Sequence, residues 1–105
     1  MAYLIRRVFK VKPGTSRKAA DVIFQIGEAH HKAGQRGEVR VYWSGGSVPG
    51  PANTVYMDWI DEVIQSPYRE GNTPIPGLAN IAPPLREFVE DTWIEFYELH
   101  RASSR

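Results

Sequence analysis

Between Tyr3 and Val11 the chain reads YLIRRVFKV, with Tyr3, Ile5 and Phe9 on one parity and Leu4, Arg6 and Val8 on the other. The run stops at Pro13-Gly14, a turn dipeptide, so the pattern predicts a first strand over residues 3–11. Ala19, Val22, Ile23, Ile26 and His30 then recur at spacings of three and four, the stripe of a helix over about 16–33. Thr15 or Ser16 would cap that helix with a hydroxyl, and Gly34 and Gly37 mark its stop and the turn. In GEVRVYWSGG, residues 37–46, Val39, Val41 and Trp43 alternate with Arg40, Tyr42 and Ser44, a second strand with two unlike faces. The loop SGGSVPGPAN leads to NTVYMDWI, residues 53–60, where Val55, Met57 and Trp59 oppose Thr54, Tyr56 and Asp58. DEVIQSPYRE reads as a short helical segment, and Pro84 suits the first turn of another, with Leu85, Phe88 and Val89 as its apolar face. TWIEFYELH, residues 92–100, alternates once more as a fourth strand.

The order is βαββαβ. Its economical packing is an α+β, ferredoxin-like arrangement: one antiparallel four-stranded sheet, both helices on one face, the first and third strands in the centre. Residues 1–100 form a single domain and RASSR, residues 101–105, a polar tail.

With helices on one side only, the two faces of the sheet have different fates. The helix-facing set is Tyr3, Ile5, Phe9, Val39, Val41, Trp43, Val55, Met57, Trp59, Ile94 and Phe96, a coherent core. The opposite set holds Leu4, Arg6, Val8, Arg40, Tyr42, Tyr56, Asp58, Trp93, Glu95 and Tyr97. Tyrosine, tryptophan and arginine are the types enriched at protein interfaces. Arg6 stands within reach of Asp58 or Glu95, so the charges on this face would pair once dried. The expected partner is a second copy, giving a homodimer with Arg6, Arg40, Tyr42, Tyr56, Asp58, Trp93, Glu95 and Tyr97 at its interface.

Composition narrows the function. Thirteen basic and twelve acidic residues give a net charge of +1, which offers nucleic acid or an anionic membrane no footprint. Cysteine is absent, which excludes disulfides, thiolate catalysis and thiolate-bound metals. No apolar run reaches the length of a signal peptide or a membrane span, so the expected location is the cytoplasm. Twelve aromatic residues in 105 are many for so small a domain, and some of that surface is expected to meet a partner or ligand.

YLIRRVFKVKPG, NTVYMDWIDEV and FVEDTWIEFYEL resemble the first strand and turn, the third strand and the closing run of NIPSNAP-like members of the dimeric α/β-barrel superfamily. There, two ferredoxin-like sheets pack into a barrel with helices outside. The superfamily includes antibiotic-biosynthesis monooxygenases that use neither metal nor flavin, haem degraders, muconolactone isomerase and stress-induced proteins without known catalysis. The resemblance implies a pocket between sheet and helices, walled here by Tyr3, Phe24, Trp43, Met57 and Trp59, for a small apolar or aromatic molecule. It also implies cofactor-independent oxygenation, isomerisation or cyclisation, or else a non-catalytic binding or stress-response role. No cofactor and no metal are expected. Residues 61–91 hold no histidine in the place where haem degraders have their ligand. Asn53 also lies further from Trp59 than the asparagine of the monooxygenase groups lies from their tryptophan.

Two clusters carry candidate chemistry. His30 and His31 are adjacent, so on a helix they point about 100° apart and cannot chelate one metal. His30 continues the apolar stripe and would serve as a general base in the pocket, or both rings would complement the helix dipole. Asp58, Asp61 and Glu62 lack the ligand spacing of a calcium loop and read as a solvated helix start. The proline-rich stretch 66–84 would roof the pocket.

Overall fold

The computed structural model describes residues 2–63 and 83–100. Strand β1 spans Tyr3–Val11, and Gly14 takes φ +80° in the turn after it. Helix α1 spans Ser16–Lys32. Thr15 precedes it without capping it: its hydroxyl donates to the Lys12 carbonyl at 2.6 Å, tightening the turn instead. The helix ends at Gly34, whose φ of +74° reverses the chain while its amide donates to the His31 carbonyl at 2.9 Å.

Strand β2 spans Arg40–Ser44 and β3 spans Thr54–Asp61. Helix α2, Leu85–Phe88, is a single turn, and β4 spans Val89–Glu98. Val89 therefore opens the last strand rather than extending the helix, with φ −86° and ψ 125°, as suits a β-branched residue. The expected helical segment at 61–70 lies outside the described residues from position 64, as do most of 66–84 and the tail 101–105.

Among the described residues the four strands form one sheet in the order β2-β3-β1-β4, every neighbouring pair antiparallel. The expected ferredoxin-like α+β order and central strands are thus what the chain adopts. Helix α1 lies over β2 and β3 and buries Ala19, Ala20, Ile23, Gly27 and His30. Of these, Ala19, Ala20 and Ile23 join Ile5, Phe9, Val11, Val39, Val55, Met57 and Trp59 in one apolar cluster. Full burial of an aliphatic side chain such as Ile23 contributes about 1.5–3 kcal/mol. The fit is tight where helix and sheet are closest. A Cβ on Gly27 would lie 2.7 Å from both Met57 Sδ and a Val39 methyl.

The core is narrower than the alternation alone implies. Ile94 and Phe96 share the helix-side face but are 41% and 47% exposed. Both stand on β4, two strands away from β3 across β1. Trp43 is also exposed, and Val41, Tyr3 and Phe88 are partly buried.

Candidate functional site

Directly paired residues of antiparallel neighbours project to the same side of a sheet. On the side away from α1, register therefore lines up whole rows of side chains. Arg40 faces Asp58, Asp58 faces Arg6, and Arg6 faces Glu95. The next row is Tyr42, Tyr56, Val8 and Trp93. Charge alternates across four strands in the first row, and rings flank a buried valine in the second.

Two carboxylates organise this face. Asp58, only 3% exposed, accepts from Arg40 Nε at 2.8 Å through Oδ1 and from the Tyr42 hydroxyl at 2.6 Å through Oδ2. Glu95 accepts from Arg6 Nε at 2.9 Å and from the Tyr97 hydroxyl through Oε1, and from the Trp93 indole N–H at 2.9 Å through Oε2. Trp93, Glu95 and Tyr97 alternate along β4, which brings all three to one side. The Arg6 guanidinium also stands 5.0 Å from the Tyr56 ring centre and 5.8 Å from that of Tyr97. Tyr42 and Tyr56 stack at 5.2 Å with an 18° interplanar angle, and the Tyr56 hydroxyl meets Ser44 Oγ at 3.2 Å.

The electrostatics follow from these bonds. Burial and the hydrogen bond to Asp58 push the Tyr42 phenol up to about 12, so it remains a donor. The Tyr97 hydroxyl, the Trp93 N–H and Arg6 hold the Glu95 carboxyl down to about 2, so it remains an acceptor. Asp58 and Asp61 are not part of a solvated helix start. Asp58 is clamped in the sheet, and Asp61 at the end of β3 accepts from Trp59 Nε1 at 3.0 Å and the Gly37 amide at 3.2 Å. No group of three or more His, Cys, Asp or Glu side chains suited to a metal occurs among the described residues.

Among the described residues the five expected pocket walls differ in exposure. Met57 and Trp59 are buried in the core, with the Arg36 guanidinium 4.3 Å from the Trp59 ring centre. Phe24 and Trp43 are exposed, Trp43 lying under the Arg17 guanidinium at 5.9 Å, and Tyr3 is half-buried. His30 is buried, its Nδ1–H donating to the Ile26 carbonyl at 2.8 Å. Burial lowers its pKa below 6.5, which keeps the ring neutral.

A groove of about 340 Å³ opens where β2 begins beside the end of β3, lined by Glu38, Arg40, Asp58, Ile60 and, of the expected walls, Trp59. Sequence alternation could not reveal it. It exists because β2 pairing starts at Arg40 while β3 runs on to Asp61.

No protein-family pattern matches this chain, and no curated protein matches it. Solved structures do. An uncharacterised NIPSNAP domain protein from Burkholderia xenovorans superposes with a TM-score of 0.68 at 15% identity, over 98% of this chain and 99% of its own. Protein Atu4242 from Agrobacterium tumefaciens gives 0.67 at 22% identity, over 98% and 97%. A dimeric protein of unknown function and ferredoxin-like fold from Bacteroides fragilis gives 0.58 at 14% identity, over 93% and 96%. The chain thus has the ferredoxin-like fold found in NIPSNAP domain proteins. Among the described residues no helix is long and apolar enough to cross a membrane.

Proposed function

We propose that the chain works as a homodimer, two sheets packed face to face into a dimeric α/β barrel, and that this assembly binds a small molecule. The pair of carboxylate clamps carries the reading. Charged groups on a wet face are satisfied by water and need no organised partners. Here Asp58 and Glu95 each receive donors from their own protomer on both oxygens. A face built this way can be dried with both carboxylates still paired, which lowers the penalty of burying them. Around the clamps stand exposed Tyr42, Trp93 and Tyr97, the ring types that anchor interfaces. The dimeric description of the Bacteroides fragilis neighbour supports the same state.

Binding without catalysis by His30 is the better supported form of this reading. His30 is buried, and one turn before it the close approach of Gly27 to Met57 and Val39 leaves no gap between α1 and the sheet. His30 is then a packing residue, and the small molecule sits elsewhere. Native mass spectrometry with sedimentation equilibrium tests the proposal. The expected species is twice the 11.9 kDa protomer at micromolar concentration. A protomer that stays single there overturns the barrel.

A further inference from the structure

We propose that the groove at the start of β2 takes a small zwitterion, an α-amino acid with an apolar side chain being its simplest form. The inference rests on the small-molecule reading above and takes Arg40, on the edge strand β2, out of the dried face and into the groove, so that its guanidinium stays open in the dimer.

The groove is a built feature. The Gly37 amide is held by Asp61, whose other oxygen takes the Trp59 indole N–H. Gly37 lies so close to β3 that a Cβ there would fall 2.4 Å from the Ile60 carbonyl oxygen. The chain entering β2 is therefore pinned over the end of β3. Val39 turns into the core against Gly27, which leaves Glu38 and Arg40 on the other side of the chain. Their Cα atoms are about 6.6 Å apart in extended backbone.

The charges then define the ligand. Arg40 Nε bonds one Asp58 oxygen and the Tyr42 hydroxyl the other, and Asp58 is buried, so it orients the guanidinium rather than meeting a ligand directly. Arg40 bonds through Nε among the described residues, and its side chain is 67% exposed, so its terminal Nη edge presents a two-pronged donor to the groove. That edge matches a carboxylate. Arg40 and Asp58 cancel, and Glu38 leaves the groove with one negative charge. A simple anion meets Glu38 unfavourably, and a simple amine leaves the arginine fork unmet. A ligand carrying carboxylate and ammonium together answers both, and exposed Ile60 supplies an apolar wall for its side chain.

Three probes of nearly one shape separate the possibilities: L-leucine, 3-methylbutylamine (no carboxylate) and 4-methylpentanoate (no ammonium). Titration of isotope-labelled protein should move the Ile60 and Asp58 amide signals with leucine. Each truncated probe should bind roughly tenfold more weakly or worse, the usual loss of one charge-assisted contact. Arg40→Gln and Glu38→Gln should each weaken leucine by a similar factor, with circular dichroism confirming an intact fold. Equal binding of all three probes, no binding of leucine, or indifference to both substitutions would overturn the assignment. The mass of the same samples is read separately. A dimer that ignores leucine sinks this inference alone, and a monomer that binds it sinks the barrel alone.

Discussion

The two faces of this sheet both carry rings and both bury residues, yet they treat polar atoms in opposite ways. Under α1, Ile23, Val39, Met57 and Phe9 meet as pure apolar surface, and His30 enters only with its Nδ1–H spent on the helix backbone. On the far face, carboxylates, guanidiniums and phenols stand in the rows and satisfy one another. One face is closed by its own chain and holds together by exclusion of water. The other is arranged so that something else can close it. The contrast yields separate expectations for folding and for assembly, because a lesion on one face should not report on the other.

The largest effect belongs to the covered face. Ile23→Ala removes a fully buried side chain from the core under α1 and should cost about 2–5 kcal/mol in urea unfolding. Folded protomers that remain should assemble as before. Arg6→Ala comes next and inverts that pattern. It removes two bonds to Glu95 and the cation–π approach to Tyr56, so the dimer should weaken by about 2 kcal/mol, roughly thirtyfold in its dissociation constant. Unfolding of the protomer should move far less, since Arg6 is partly solvated there. Sedimentation equilibrium and urea melts on both variants decide the matter. Coupled losses in both measurements for both variants would erase the distinction.

Much of this division is legible in the sequence, and the reasons are physical. Period-two alternation fixes which side chains share a face, so β1 at residues 3–11 and the opposite set around Arg6 and Tyr42 follow from the letters. Trp93, Glu95 and Tyr97 belong together for the same reason, and cross-strand pairing then brings Arg6 to Glu95. Alternation says nothing of how wide a cover is. Ile94 and Phe96 therefore read as core although they stand on β4, outside the strands α1 lies over, and Trp43 reads as core although it stays exposed beside Arg17 of α1. Nor does it show where pairing stops, so the Glu38–Arg40 groove is invisible in it and Asp61 looks like a helix start. The late start of β2 is a tertiary fact, set by Gly37 against Ile60.

A smaller effect separates the faces by pH. His30 titrates below its usual 6.5 because burial disfavours its charged form. The unfolded chain binds that proton first, so this stability is whole above about pH 6.5 and is lost as pH falls through the lower folded value. Glu95 has its pKa depressed from 4.5 to about 2, so its contribution is whole above 4.5 and is lost as pH falls toward 2. Melting temperatures followed downward from neutral pH should show two slopes. His30→Leu should remove the first and Glu95→Gln the second. Water reaches Glu95 in the lone protomer, so its slope should be shallow in dilute samples and steeper where the dimer forms. A Glu95 slope independent of concentration would count against burial of that face.

Phe24→Ala should have the least effect, and its smallness is informative. Phe24 lies on α1 one residue from Ile23, yet the helix turns it about 100° away and leaves it exposed. Alanine is the better helix former, which offsets part of whatever apolar packing the ring supplies. Unfolding should shift by no more than about 0.5 kcal/mol, and the dimer constant should not change. Ring content is then not what marks a working surface in this molecule. Phe24 faces water from the helix flank, whereas Trp93 is bonded to Glu95 beside Arg6 and stands in the row proposed for contact. If Phe24→Ala weakened assembly as much as Arg6→Ala, the partner would be meeting the helix side, and the carboxylate clamps would have to be explained by folding alone.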